Sequence, residues 1–300
     1  MSVRAGAVGA TGGSTALSQR GVIRALCRFV RHRPALVGAG VIGAYLVVAL
    51  LADILAPYDP LDMSAGPRLA IPDAQHWFGT DEFGRDVLSR VIYGARIAFT
   101  VGVLSASGAA ILGSTMGVLG GYFGGLLDRV VTMLIDLIFA FPTLLLAIAV
   151  AAFLTGGGMP PAVPVIIALT VVQSPHFARI VRAATLTVKA QPFVEAARGL
   201  GASHRRTIRL HIMPNVMAPL IVQLALSFSY AILAESSLSF LGVGYPPPSP
   251  SWGAMLTGAY GYVERAPWAA FSPGMAITLL ILGFNVLGDG LRDFFDPTRR

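Results

Sequence analysis

Three stretches of this 300-residue chain, 35–52, 97–123 and 137–154, carry no charged side chain. A helix that crosses the hydrocarbon core of a bilayer needs about 20 mostly apolar residues. One such run fits a buried helix of a water-soluble domain, but five or six in a chain of this length do not. Mean hydropathy is +0.70. Only 12% of the residues are charged, against about 25% in ordinary soluble domains. The fold class is therefore an all-α polytopic membrane protein. Six spans are read at about 34–55, 95–121, 127–154, 162–184, 215–240 and 272–291.

Charge orients these spans. Net charge is +7, a balance that suits nucleic acid or a membrane surface equally well. The basic residues gather at span ends, however, which favours the positive-inside bias. With the N-terminus in the cytoplasm, 17 basic residues fall inside and five, Arg68, Arg85, Arg90, Arg96 and Arg265, fall outside. Both termini are expected in the cytoplasm. The expected divisions are a cytoplasmic tail at 1–33, a first span at 34–55, an extracytoplasmic segment at 56–94, a transmembrane domain at 95–291 and a short tail at 292–300. The first span follows an Arg-bearing leader and lacks a small-residue cleavage site, so it reads as an uncleaved helix. Residues 1–19 are rich in Gly, Ala, Ser and Thr and read as disordered. The single cysteine, Cys27, precludes an internal disulfide.

The external segment 56–94 shows no helical period. The second external piece, 241–271, contains Tyr245-Pro246-Pro247-Pro248-Ser249-Pro250-Ser251-Trp252, which reads as extended or turn-like because proline fixes φ. Eight glycines between Gly102 and Gly125 suit close helix approach in lipid, as tight packing or as sliding surfaces. Pro142 and Pro219 fall inside spans and are expected to kink them.

No GxxxxGK[ST] sequence is present, and the only lysine, Lys189, lies in Val-Lys-Ala-Gln. A P-loop needs its lysine on the nucleotide phosphates, so ATP hydrolysis by that route is not expected of this chain. There is no HExxH or CxxC, and His204 and His211, seven apart, make a poor metal pair. No cofactor and no catalytic residue are expected.

The most informative polar segment is 195–215: Glu-Ala-Ala-Arg-Gly-Leu-Gly-Ala-Ser-His-Arg-Arg-Thr-Ile-Arg-Leu-His-Ile-Met-Pro-Asn. Ala196 and Ala197 are good helix formers, small enough to sit under another surface. Glu195 complements a helix N-terminus. Gly201 permits a sharp turn. Arg205 and Arg206 follow on a second basic piece, which Pro214 is expected to stop. A plain positive-inside loop shares the charge but not this spacing.

This pattern resembles the EAA loop of ABC-importer membrane subunits. Over about residues 30–298 the chain resembles the C-type permease subunit of the dipeptide/oligopeptide family. The other stretches that carry the likeness are Phe78–Arg90 with Tyr93–Arg96, Gly120–Gly125, Ala234–Gly242 with Pro250–Gly253, and Phe284–Asp293. Met213 stands where the family usually has leucine. The resemblance implies a type I importer permease fold of six transmembrane helices, a bacterial plasma (inner) membrane and a coupling loop at about 189–214. Glu195, Ala196, Ala197, Gly201, Arg205, Arg206 and Pro214 would seat a partner. It also implies partners: a homologous B-type permease subunit, two cytoplasmic ATPases that bind ATP and Mg, and an extracytoplasmic solute-binding protein. The implied cargo is a dipeptide or oligopeptide, with nickel chelates, haem, glutathione or another solute as alternatives, and transport is by alternating access.

Polar groups inside spans are candidates for a pathway. Asp136 and Glu235 are the pore or vestibule candidates. The bland alternatives are an Asp136–Arg129 pair, a Glu235 that is a helix-end carboxylate in water or paired with Arg96 or Arg265, and an Asp289–Arg292 helix cap. Two rival functions remain open, an ion-driven secondary transporter and a membrane scaffold.

Overall fold

The structure, a computed structural model, describes residues 33–295. The expected disorder of 1–19, Cys27 and the end of the C-terminal tail lie outside the described residues. Among those described, every regular element is helical. In chain order they are α1 Arg33–Leu50, α2 Ala52–Leu55, α3 Val87–Phe123, α4 Gly125–Phe139, α5 Thr143–Thr155, α6 Ala162–Lys189, α7 Pro192–Gly199 and α8 His204–Thr207. A π-helical turn, Ile208–Ile212, comes next, then α9 Met213–Phe240, α10 Trp252–Tyr260 and α11 Pro267–Phe295. Helices α1, α3, α6, α11 and the continuous rod His204–Phe240 are each long and apolar enough to cross a membrane. Helices α4 and α5 are apolar enough only when taken together, and they meet at 94°. The bend follows from Phe141-Pro142: proline lacks the N–H that would continue the ladder and keeps the residue before it out of the α region.

Helix α3 is the spine. Its main contact is α6, with α9 and α1 also against it, while α11 packs between α1 and α9. The α3–α6 seam depends on Gly113, Gly117 and Gly121. A Cβ built on Gly117 would lie 2.6 Å from the carbonyl oxygen of Ala178, and one on Gly121 would lie 3.0 Å from that of Arg182. The two backbones therefore touch directly, which is tight packing rather than a lubricated gap. Gly38 of α1 is used in the same way, against the backbone of Leu287.

One proline inside a long helix has local compensation. Pro175 in α6 cannot donate to the carbonyl of Val171, and the Ser174 hydroxyl donates to that oxygen instead, at 2.9 Å. Pro219 also lies within an unbroken helix, α9.

Several boundaries differ from the sequence expectation. The second span begins at Val87, eight residues early, because the Asp86 carboxylate caps it by accepting from the Ser89 N–H at 2.8 Å. The fifth span begins at His204, and Pro214 does not stop it. The π turn directly upstream absorbs the missing donor, with the Met213 N–H reaching the Ile208 carbonyl. The piece 241–271, expected to be extended or turn-like, holds a helix, α10, whose N-cap is Ser251 accepting from Ala254 N–H at 3.2 Å. The last helix runs to Phe295, into the expected tail.

The segment 56–86 folds into a cap over this end of the bundle. Asp81 pairs with Arg85 at 2.6 Å and accepts the backbone N–H groups of Phe83 and Arg85. The buried Arg90 guanidinium donates to the carbonyl of Pro60 at 2.9 Å. His76 Nδ1 lies 3.0 Å from the carboxylate of Asp86. Trp268 donates to Thr80 O and Trp252 to Val91 O, tying the cap and the start of α3 to α11 and α10. The Phe78–Arg90 stretch thus has a structural role that its sequence did not disclose.

Candidate functional site

At the opposite end, α6 runs out at Lys189 and the chain turns through Gln191 into α7. Pro192 sits at the first helical positions, where its missing N–H costs nothing. Val194 is fully buried beneath this helix, while Glu195 and Ala196 are exposed and Ala197 is half-exposed. Helix α7 closes with a double backbone contact, Ala202 N–H to Ala197 O at 3.0 Å and Gly201 N–H to Arg198 O at 2.9 Å. This is a Schellman closure with Gly201 at the left-handed position, φ +83°. Ser203 then caps α8, and the basic stretch leads through the π turn into α9.

The expected coupling residues meet only in part. Ala197, Gly201 and Arg206 border one open hollow of about 520 Å³, with the exposed Leu200 at its edge. Arg205 lines a neighbouring hollow instead. Glu195 and Ala196 lie on the outer face of α7, where Glu195 forms no ion pair with a described residue. Pro214 is exposed at the foot of the rod, in neither hollow.

The loop is pinned by residues to which sequence reasoning gave no role. The Tyr122 hydroxyl lies 3.0 Å from His204 Nδ1, and their rings meet edge to face. Phe123 also stacks near His204, and Lys189 Nζ lies 5.9 Å from the Tyr122 ring centre. Val118, Tyr122, Val181, Ile212 and Val216 form the apolar cluster under this end. One turn away, Arg182 grips Asp128 with two parallel hydrogen bonds, 2.5 and 2.7 Å, joining α6 to α4. The only available signal was Tyr122 within Gly120–Gly125; its partner is 82 residues distant.

The intramembrane acids differ from their bland alternatives. Asp136 is exposed and makes no ion pair with Arg129; the acid that finds an arginine on this helix is Asp128. Asp289 makes no ion pair with Arg292. Glu235 is 1% exposed and meets neither Arg96 nor Arg265. It accepts from the Ser239 hydroxyl at 2.8 Å and from Ser236 at 3.4 Å. Arg96 is taken by Asp53 at 3.0 Å. A polar contact that sequence reasoning missed lies between α6 and α9, where the buried Ser227 hydroxyl donates to Gln173 Oε1.

The family model described as "Binding-protein-dependent transport system inner membrane component" matches residues 109–300. That for the "N-terminal TM domain of oligopeptide transport permease C" matches residues 23–72. The "Dipeptide transport system permease protein DppC" of Alkalihalophilus pseudofirmus is 40% identical over 267 residues, covering 89% of this chain and 86% of that protein. The "Glutathione transport system permease protein GsiD" of Escherichia coli O6:K15:H31 is 42% identical over 276 residues, covering 90% and 88%. Among solved structures, an inward-facing MetNI methionine ABC transporter superposes with TM-score 0.57 at 19% identity, covering 69% of this chain and 97% of that chain. An amino acid ABC transporter does so with TM-score 0.53, also at 19% identity, covering 67% and 92%. These two establish the fold alone. With the helical bundle, the apolar spans and the relatives in agreement, the chain belongs to the inner-membrane components of binding-protein-dependent transport systems, as a multi-pass permease subunit of the dipeptide/oligopeptide type of ABC importer.

Proposed function

We propose that this subunit forms half of a translocation pathway for dipeptides or oligopeptides and is driven through its 189–214 loop by ATPase partners. The observation that carries this reading is a surface, not a pocket. Helix α7, the Gly201 turn and α8 are exposed, while Val194 is buried beneath α7 and His204 of α8 is held by Tyr122 of α3. A push on that surface has a direct route to α3 through the Tyr122–His204 contact.

In this proposal Glu195, Ala196 and Ala197 present the small-residue face of α7, and Arg206 borders the seat at the Gly201 turn. Arg205 flanks it, and Pro214 marks where the loop joins the rod. Two cytoplasmic ATPases would hold ATP and Mg, a homologous B-type subunit would complete the pore, and an extracytoplasmic binding protein would deliver cargo. The ATPases can shift the pore only if they contact the loop differently in its two states. Asp136 and Glu235 remain our pore candidates, with Glu235 occluded in the present conformation by its serines. The loop faces the cytoplasm and the cap faces outward.

Cargo follows the relatives: one is named for dipeptides. A second reading, glutathione, is favoured by the 42% identical relative named for it and is itself a short peptide. Reconstitution tests the whole. Uptake of labelled dipeptide should require ATP, both permease subunits and the ATPases. Uptake by this chain alone under a proton gradient would replace the proposal with a secondary transporter. A cysteine at Ser203 should label only from the cytoplasm and one at Ser249 only from outside.

A further inference from the structure

Helices α4 and α6 meet through one aromatic ring. Asp136 and Phe139 lie three positions apart on α4, and His176 and Arg179 three apart on α6, so each pair shares a helical face. The His176 ring meets that of Phe139 edge-on, with centres 4.9 Å apart. The Arg179 guanidinium carbon lies 4.3 Å from the centre of the same ring. Phe139 is half-buried, whereas Asp136, His176 and Arg179 are exposed. Neither Asp136 nor Arg179 forms an ion pair with a described residue. An anion and a cation thus stand unpaired beside one ring, on helices of the apolar bundle. Charged groups in such helices are costly unless a polar pathway or a partner receives them.

The corner between α4 and α5 adds to this pattern. Helix α4 ends at Phe139 and Pro142 precedes α5. Proline brings no N–H to the last carbonyls of α4, so the corner is the negative pole of that helix. Asp136 stands in the same last turn and adds a full negative charge there. A cation is drawn to this side and an anion to Arg179.

We propose that this corner binds the zwitterion of a dipeptide, with the carboxylate on Arg179 and the ammonium at Asp136. A guanidinium resting on a ring keeps its N–H edge free, and that edge matches a carboxylate in a pair of hydrogen bonds. His176, against the ring edge, positions Phe139. The charged ends of an extended dipeptide lie about 7 Å apart, which suits two charges that a ring keeps from pairing. A phosphate would answer Arg179 alone and would be repelled by Asp136. The inference rests on the pathway reading proposed above and gives Asp136 a ligand and a second charge to work with.

The test measures the initial rate of ATP-driven uptake by the assembled importer in vesicles. Alanyl-alanine is compared with its C-terminal amide and with N-acetyl-alanyl-alanine. Each variant is read as a ratio to wild type, so the binding protein's own selectivity cancels. Arg179→Gln should lower uptake of alanyl-alanine about tenfold, the loss of one charge-assisted hydrogen bond, and leave uptake of the amide near wild type. Asp136→Asn should lower it similarly and spare the acetylated dipeptide. Arg179→Lys should recover part of the loss. Equal losses for free, amidated and acetylated cargo would make the two charges structural and overturn the site. Loss of the co-purifying second permease subunit from Arg179→Gln would assign the arginine to the subunit interface instead. Wild-type vesicles that take up no dipeptide with ATP would sink the pathway reading and the site with it. A transporting wild type matched by both variants on all three cargoes would sink the site alone.

Discussion

The Tyr122 hydroxyl and His204 Nδ1 lie 3.0 Å apart, and this contact joins the last turn of α3 to the first residue of α8. It is partly buried and flanked by Phe123 and Lys189. Tyr122→Phe keeps the ring contacts and removes only the hydrogen bond, a loss of about 1 kcal/mol. The spans should stay folded. ATP hydrolysed per dipeptide transported should rise, as the loop gains freedom relative to α3. An unchanged stoichiometry in reconstituted vesicles would remove Tyr122 from the coupling path.

The turn at Gly201 makes a sharper prediction. Alanine at φ +83° carries a left-handed strain of roughly 1–2 kcal/mol. Gly201→Pro is worse, because it fixes φ near −65° and deletes the donor to Arg198 O. Gly201→Ala should weaken ATPase co-purification and Gly201→Pro should abolish it, with both variants inserting normally. Ala197→Trp should act like the proline variant by filling the hollow. Full co-purification and transport in all three would refute the docking surface.

Glycines on α3 and α1 should respond oppositely to the same change. At Gly117 an added methyl meets the Ala178 backbone, whereas Gly40 has open space around its missing Cβ. Gly117→Ala should lower stability by roughly 1–3 kcal/mol, as overpacking does. Gly40→Ala should be neutral or add about 0.5–1 kcal/mol by helix propensity. Thermal unfolding of the two variants in detergent reads both signs.

Acid should open the cap before it affects the bundle. Backbone N–H groups of His76 and Gln75 hold the Asp73 carboxyl below its ordinary 3.8. A depressed carboxyl contributes stability above its unfolded value and loses it as pH falls through the lower folded value. The change should therefore appear below about pH 4. All three tryptophans, Trp77, Trp252 and Trp268, lie at this end, and their fluorescence should shift in that window while helical content by circular dichroism holds.

What the sequence disclosed and what it hid divide by range. The spans were legible because an uncharged run is a local property, and the Gly201 turn because left-handed backbone needs a particular residue. Pro142 was legible as a kink, though not as a 94° break. Pro214 misled because the rule against helical proline is local, and the π turn that circumvents it lies in the preceding five residues. Helix α10 was hidden behind four prolines, although Ser251 ahead of an apolar run was an available capping signal. The pairs Asp128–Arg182 and Tyr122–His204 span 54 and 82 positions, and no periodicity reports such distances. The expected Asp136–Arg129 pair shows the converse: spacing on one helix does not decide which acid an arginine from another helix will reach.

The rod from His204 to Phe240 is 37 residues long, about 55 Å at 1.5 Å per residue. If it moves as one body, a rod of that length converts angle into arc. A tilt of about 5° about one end carries the other end roughly 5 Å sideways. At the far end stands Ser239, whose hydroxyl receives the Tyr245 N–H and whose neighbour Phe240 receives the Thr257 hydroxyl on its carbonyl. The end built from those contacts needs no hinge of its own, since a rotation of a few degrees at the loop is already a displacement as wide as a peptide backbone.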